Sequence, residues 1–146
     1  MTMVIQPLTL SDQRWVFNKS LAETERFDYM RPDPDKIKHS IVTAISSAQN
    51  FAIKAVSDGE IVGALGSLTI DNLWAEKKCS IAVFFRSYKA PAGAMLVRAY
   101  REWLDSRPVI RVGGFAPSFD MGCRTTLLLE HLGFKNEGGN FLYCKR

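Results

Sequence analysis

What this chain lacks narrows it first. No apolar run approaches the ~20 residues that a membrane span needs, and the opening Met-Thr-Met-Val-Ile has no basic n-region of a secretory signal. Cysteine is scarce: Cys79, Cys123 and Cys144 are odd in number and have no metal-ligand spacing. Neither a disulfide framework nor a metal site is expected, and reduced thiols point to a cytoplasmic protein. Only two histidines occur, His39 and His131, and no Ser-His-Asp or Cys-His set can be argued from spacing. Internal repeats, low-complexity segments and interdomain linkers are also missing. At 146 residues this leaves one expected domain, 1–146, long enough for a real core.

The charge that is present is lopsided. The chain carries +4, but Met1 to Trp74 holds 7 basic and 9 acidic residues, while Ala75 to Arg146 holds 12 and 6. The second half is therefore at +6 and suits a polyanionic ligand, either a phosphorylated cofactor or nucleic acid. A solvated basic face without a ligand accounts for the charge equally well.

Taken in order, Met3 to Leu8 predicts a first strand. Ser11-Asp12 predicts a helix cap, with Trp15, Val16, Phe17 and Leu21 as the apolar side of a first helix. Pro32 and Pro34 mark a loop before a second helix that starts around Asp33 to Asp35. Ile37, Ile41, Ala44 and Ile45 give it the clearest helical period in the chain. Phe51–Val56 and Ile61–Ile70 flank Asp58-Gly59, a hairpin signal. Val109–Phe115 predicts a later strand whose Gly113-Gly114 invites a bulge or a close approach. Gly133 closes a short helix from Arg124, and Phe134–Glu137 with Phe141–Cys144 predicts a last hairpin. The order β-α-α-β-β-β-α-β-α-β-β implies an α+β fold: a mixed, mainly antiparallel sheet of about seven strands with helices on both faces.

One stretch gathers the chemistry. Ile81-Ala82-Val83-Phe84-Phe85 predicts a central strand buried on both faces. A turn follows, Arg86-Ser87-Tyr88-Lys89, then the small residues Ala90 to Ala94. A helix beginning near Pro91 carries Leu96, Tyr100, Trp103 and Leu104. A strand, a loop of small residues and a helix N-terminus make an anion site, because free N–H groups and the positive dipole end point into the loop. Arg86 and Lys89 add charges at its rim. A plain strand-to-helix connection is the alternative.

Set in that order, Val4–Asp12, the hairpin Asp58–Gly63 and Leu129-Glu130-His131-Leu132-Gly133-Phe134 resemble the GNAT acetyltransferase superfamily along nearly the whole chain. The resemblance implies acetyl-CoA or another acyl-CoA as co-substrate, no metal, and a small-molecule or protein amine as acceptor. The family's loop pattern, Gln/Arg-x-x-Gly-x-Gly/Ala, falls on Ser87, Ala90 and Ala92, or one residue earlier from Arg86, which puts Pro91 on a donor position. In either register the first glycine is replaced, and Pro91 offers no N–H.

By resemblance the cofactor set is Phe84, Phe85, Arg86, Ser87, Tyr88, Lys89, Ala90, Ala92, Gly93 and Ala94, with backbone groups of Phe84-Phe85 beside the pantetheine arm. The usual tyrosine acid falls on Leu129, so Ser118 or Tyr143 is expected to stand in, with Asp120 and Cys123 nearby. Glu76 is the expected base. Phe27, Tyr29 and Arg31, with Met30, form the expected acceptor wall opposite Glu137–Asn140. Each has a plainer role: helix cap for Ser118 and Asp120, packing for Cys123, Tyr143, Phe27 and Tyr29, solvated surface for Glu76.

Three functions follow as expectations. The first is N-acyl transfer from coenzyme A by direct amine attack. The second is a GNAT-fold structural or interaction protein that has lost catalysis. The third is nucleic-acid binding or modification, although the basic residues are not bunched on one helix.

Overall fold

The first strand, β1 (Met3–Pro7), ends in a proline whose missing amide faces away from β2, since the next amide, that of Leu8, still donates to Ala52 O at 3.0 Å. In the computed structural model, which describes residues 2–25, 31–71, 76–115 and 122–135 (122–125 by backbone alone), a 3-10 turn at Leu10–Asp12 then leads into α1 (Gln13–Glu25). The cap expected at Ser11-Asp12 moves to Thr9. Asp12 Oδ2 accepts from the Thr9 amide at 2.9 Å and the Thr9 hydroxyl at 3.1 Å, so the carboxylate closes the turn from within.

Helix α2 (Pro34–Ser46) starts as its sequence indicates. Asp33 Oδ1 accepts from the amides of Asp35 and Lys36 at 3.1 and 3.2 Å, and Pro34 occupies the first turn. The hairpin of β2 (Phe51–Ser57) and β3 (Glu60–Asp71) turns on Asp58 and Gly59 at φ 54° and 80°. Two left-handed residues match the twist of the flanking strands, which is why Asp-Gly is found there. The chain continues through β4 (Lys78–Ser87), α3 (Ala92–Asp105), β5 (Ile110–Phe115) and α4 (Gly122–His131). Gly133, at φ 92°, ends α4: its amide reaches Glu130 O and that of Phe134 reaches Leu129 O, a Schellman closure.

The strands lie in the order β1-β2-β3-β4-β5, antiparallel except for the parallel β4–β5 pair. A parallel pair needs a crossover, and α3 supplies it. The mixed, mainly antiparallel sheet with helices on both faces is as expected, but five strands rather than about seven stand among the described residues. The expected last hairpin falls almost wholly on residues 136–146, outside them.

Each face of the sheet has its own core. Leu8, Val16, Ile41, Ala44, Ala64 and Phe84 meet under α1 and α2. Ile53, Ala55, Leu65, Leu96, Val97 and Tyr100 meet under α3, with Leu128 and Leu129 of α4 packed against them. Tyr100 stacks with Phe51 and Phe134 at 5.9 and 6.3 Å and meets Phe115 edge-on at 5.7 Å. Such ring pairs add about 0.5–1.5 kcal/mol each beyond area burial.

Lys54 Nζ, from β2, reaches the same Asp12 oxygen at 2.8 Å, the two side chains being 15% and 11% exposed. Burial alone would push the Asp12 carboxyl up. The Lys54 hydrogen bond, those from Thr9 and the lysine charge outweigh it and hold the group below its usual 3.8. A depressed folded value means stability that is present above the unfolded pKa and lost as pH falls through the folded one. Asp12→Asn should cost about 1–2 kcal/mol at neutral pH. It should also flatten the acid limb of stability against pH below about pH 4, as measured by urea titration.

Candidate active site

Strand β4 pairs with β3 along its whole length, from Lys78↔Asp71 to Ser87↔Gly63, and with the described residues of β5 from Lys78 to Ala82, opposite Phe115. Just beyond Ala82 it carries one residue too many. Phe84 faces Gly66 and Ala82 faces Ser67, which leaves Val83 unmatched. Such a bulge bends its strand and increases the local twist. Gly66 makes room for it: a Cβ there would sit 2.1 Å from the Phe84 ring. The expected site of irregularity, Gly113-Gly114, stays in register with Ser80 and Ile81, and the register shift in β5 comes earlier, at Lys78/Cys79. Gly113 serves a close approach instead, since a Cβ would meet the Leu104 side chain at 2.4 Å. Nor is β4 buried on both faces throughout, because Val83 is 38% exposed.

Beyond Ala82 no described residue pairs with the outer edge of β4, and the polarity of that edge can be worked out. The Tyr88 amide donates to Val62 O at 2.8 Å. In an antiparallel ladder alternate residues face the partner, so Arg86 and Phe84 turn toward β3 while Phe85 and Ser87 turn away. Their amides and carbonyls point to the edge opposite β3. Arg86 Nη1 donates to the Phe85 carbonyl there, and Arg86 Nε is buried without a partner. Arg86 is thus folded back onto its own strand and is not at the loop rim as expected. Lys89 is also drawn off: its ammonium lies 3.3 Å from Ser57 Oγ at the end of β2.

The helix head is the second component. Pro91 is the N-cap of α3 rather than its first helical residue. The Ala92 amide is taken by Lys89 O at 2.8 Å and that of Met95 by Pro91 O at 3.2 Å. Among the described residues the amides of Gly93 and Ala94 have no acceptor. Fully buried Ala92 packs on the sheet, where a Cβ on Gly63 would lie 3.5 Å from it. Ser87 Oγ borders the head, 3.3 Å from where a Gly93 Cβ would stand. Tyr88 leaves the head open. Its ring meets Trp15 of α1 edge-on at 6.0 Å, and Lys19 Nζ lies 4.9 Å from its centre. Burial raises the Tyr88 phenol above its usual 10.0, with Arg86 opposing and Glu23 adding. The sequence reading placed Trp15 only on the apolar side of the first helix and did not single out Lys19, because the period there is an apolar one.

Between α3 and β4 lies a buried hydroxyl cluster. Tyr100 and Ser80 share a hydrogen bond of 2.7 Å, both within 2% exposure. Burial raises the Tyr100 phenol above 10.0; the Ser80 hydroxyl and the Gly114 backbone oppose this. The Ser67 hydroxyl lies buried without a hydrogen-bond partner. The Ser80–Tyr100 bond ties α3 to β4 at the Ser80–Gly113 pair. Helical spacing placed Tyr100 in the core, but only the fold supplies its polar partners.

The remaining site residues are dispersed or undescribed. Glu76 is exposed at the bend before β4, about 20 Å along the strand from Val83 at ~3.3 Å per residue. That is too far to take a proton from an amine beside Val83. Leu129 packs against the α3 core and offers no acid. Ser118, Asp120, Tyr143, Phe27, Tyr29 and Met30 lie outside the described residues, as does the stretch 137–140, and the Cys123 side chain is undescribed. Arg31 is exposed just before α2. Among the described residues no group of three potential metal ligands gathers, and no helix is long and apolar enough to cross a membrane.

No protein-family model matches this chain, and no curated protein does. Solved structures do. A transcriptional regulator from Bacillus halodurans C-125 matches at TM-score 0.72 and 19% identity, over 97% of this chain and 99% of its own. An aminoglycoside acetyltransferase from an uncultured soil metagenomic sample matches at 0.65 and 18%, over 98% of each. A GNAT family acetyltransferase from Staphylococcus aureus matches at 0.60 and 12%, again over 98% of each. At these identities the likeness is one of architecture, and the chain has the GNAT fold.

Two substitutions test this geometry. Gly66→Ala should cost about 1–3 kcal/mol, because the Phe84 ring must leave its place, as read by chemical denaturation. Tyr100→Phe tests the buried phenol. A raised folded value gives stability that is intact below the unfolded pKa of about 10 and lost as pH rises through the folded one. The variant should therefore be less stable at neutral pH but lose less of its stability than the native chain above pH 10.

Proposed function

We propose that this chain moves an acyl group from an acyl-CoA, with acetyl-CoA as the simplest case, to the nitrogen of an amine acceptor. One observation carries the reading: beyond Ala82 the outer edge of β4 presents amides and carbonyls that have no strand partner among the described residues. A chain of amide groups such as pantetheine is matched to that edge, since it can satisfy Phe85 and Ser87 as a strand would. The amides of Gly93 and Ala94 and the positive end of α3 suit a diphosphate. Of the ten residues expected to bind the cofactor, these four supply the groups, and Phe84 supplies the bulge that aims them.

The co-substrate supplies a thioester whose carbonyl carbon is open to an uncharged amine. The nitrogen–carbon bond forms, the carbon–sulfur bond breaks, and the proton lost from nitrogen balances the thiolate. The protein's share is orientation and a fixed backbone N–H beside the carbonyl oxygen, where negative charge gathers. Ser118 and Tyr143 remain the proposed acids. Glu76 is not kept as base, so the amine must arrive uncharged or lose its proton to water. Arg86 must release the Phe85 carbonyl for the arm to bind. The fold is shared with acetyltransferases described as acting on aminoglycosides, and a small polyamine is a fitting first acceptor.

A scaffold without catalysis is the second reading, favoured by Leu129 in the acid position and by Pro91, which removes one donor from the loop. Calorimetry with acetyl-CoA should show binding in the native chain and loss of about tenfold or more in Gly93→Asp, which puts a carboxylate at the anion cradle. Absence of binding at millimolar ligand overturns the cofactor reading. Binding without label transfer from acetyl-CoA to any amine in a metabolite extract favours the scaffold.

A further inference from the structure

The opposite face of the sheet carries a cavity that the transferase reading does not use. Gln13, Arg14 and Phe17 of α1 and Lys38 and Ile41 of α2 enclose about 260 Å³. On α1, Trp15 and Lys19 turn to Tyr88, while Gln13 and Phe17, one turn apart, share the side toward α2. The head of α3 lies beyond the sheet, against the other core.

The lining has a definite chemistry. Ile41, 2% exposed, and half-buried Phe17 form an apolar floor. Arg14 and Lys38 stand exposed at the rim, and among the described residues neither has an ion-pair or hydrogen-bond partner. Lys54 and Lys78, by contrast, each hold an aspartate at 2.8 Å. Gln13 Oε1 is buried with no donor to satisfy it, a costly state for an amide oxygen unless something brings a hydrogen to it.

We propose that this cavity binds a small aromatic carboxylate that also carries a hydroxyl or amino donor. The ring covers Phe17 and Ile41, the carboxylate lies between Arg14 and Lys38, and the donor reaches Gln13 Oε1. The volume, at the lower end for ligand sites, limits the body to about one ring. Two unpaired cations at one rim exclude an amine cation, and the apolar floor disfavours inorganic phosphate. The site is independent of coenzyme A and stands whether or not the chain is a transferase.

The test is a backbone-amide NMR titration of the full chain, without coenzyme A, using para-hydroxyphenylacetate as probe. Shifts should cluster at residues 13–17 and 38–41. The neutral para-hydroxyphenylacetamide should bind about tenfold more weakly, and so should the native probe to Arg14→Glu/Lys38→Glu. Both substituted side chains are exposed, and an unchanged melting temperature confirms folding. Phenylacetate, lacking the donor, should bind more weakly to the native chain but as well as the hydroxylated probe to Gln13→Leu. Gly93→Asp should leave all of this unchanged. Absence of shifts at those helices at millimolar probe overturns the proposal, as does binding indifferent to both charge reversal and removal of the probe's charge.

Discussion

A strand that must satisfy two unlike neighbours is the constraint on which this molecule depends. β4 runs antiparallel to β3 over its full length and, among the described residues, parallel to β5 from Lys78 to Ala82. The extra residue, Val83, follows directly on the last described pair. The bulge persists because Phe84 lies against a residue with no side chain, Gly66, and is held there by the core under α1 and α2. Remove that close fit and the direction of the strand beyond Ala82 is no longer fixed. The outward turn of the Phe85 and Ser87 amides follows from it.

The two faces of the sheet contribute differently to that edge. Beneath it, the rings of Phe85, Phe115, Tyr100 and Phe134 interlock, with Phe85 and Phe115 edge-on at 5.4 Å. A dry aromatic floor of this kind excludes water. The Ser80–Tyr100 hydrogen bond ties α3 to β4 beside the Ser80–Gly113 pair. On the other face α1 brings Trp15 and Lys19 to Tyr88, drawing that ring off the helix head. Cations nominally near the loop are engaged elsewhere, Lys89 toward Ser57 and Arg86 on the Phe85 carbonyl. The head of α3 therefore offers backbone amides and the helix dipole more than side-chain charge.

Local sequence determined much of the architecture. Asp58-Gly59 can adopt two left-handed residues, so the hairpin follows from chemistry within four residues. Asp33-Pro34 and Gly133 act as helix punctuation for equally local reasons, and the periods of α2 and α3 name the sides they bury. The element order was legible as far as α4. Only the tertiary structure decided the rest, because it depends on partners distant in the chain. The bulge is set by Gly66 against Phe84, and the cap of α1 by Lys54 reaching Asp12. Glu76 stands just before the central strand in sequence and lies exposed at the bend before β4. Arg86 looked free, but its guanidinium donates to the carbonyl one residue away. Periodicity reports which side of an element is buried; it carries no information on which strand lies beside which.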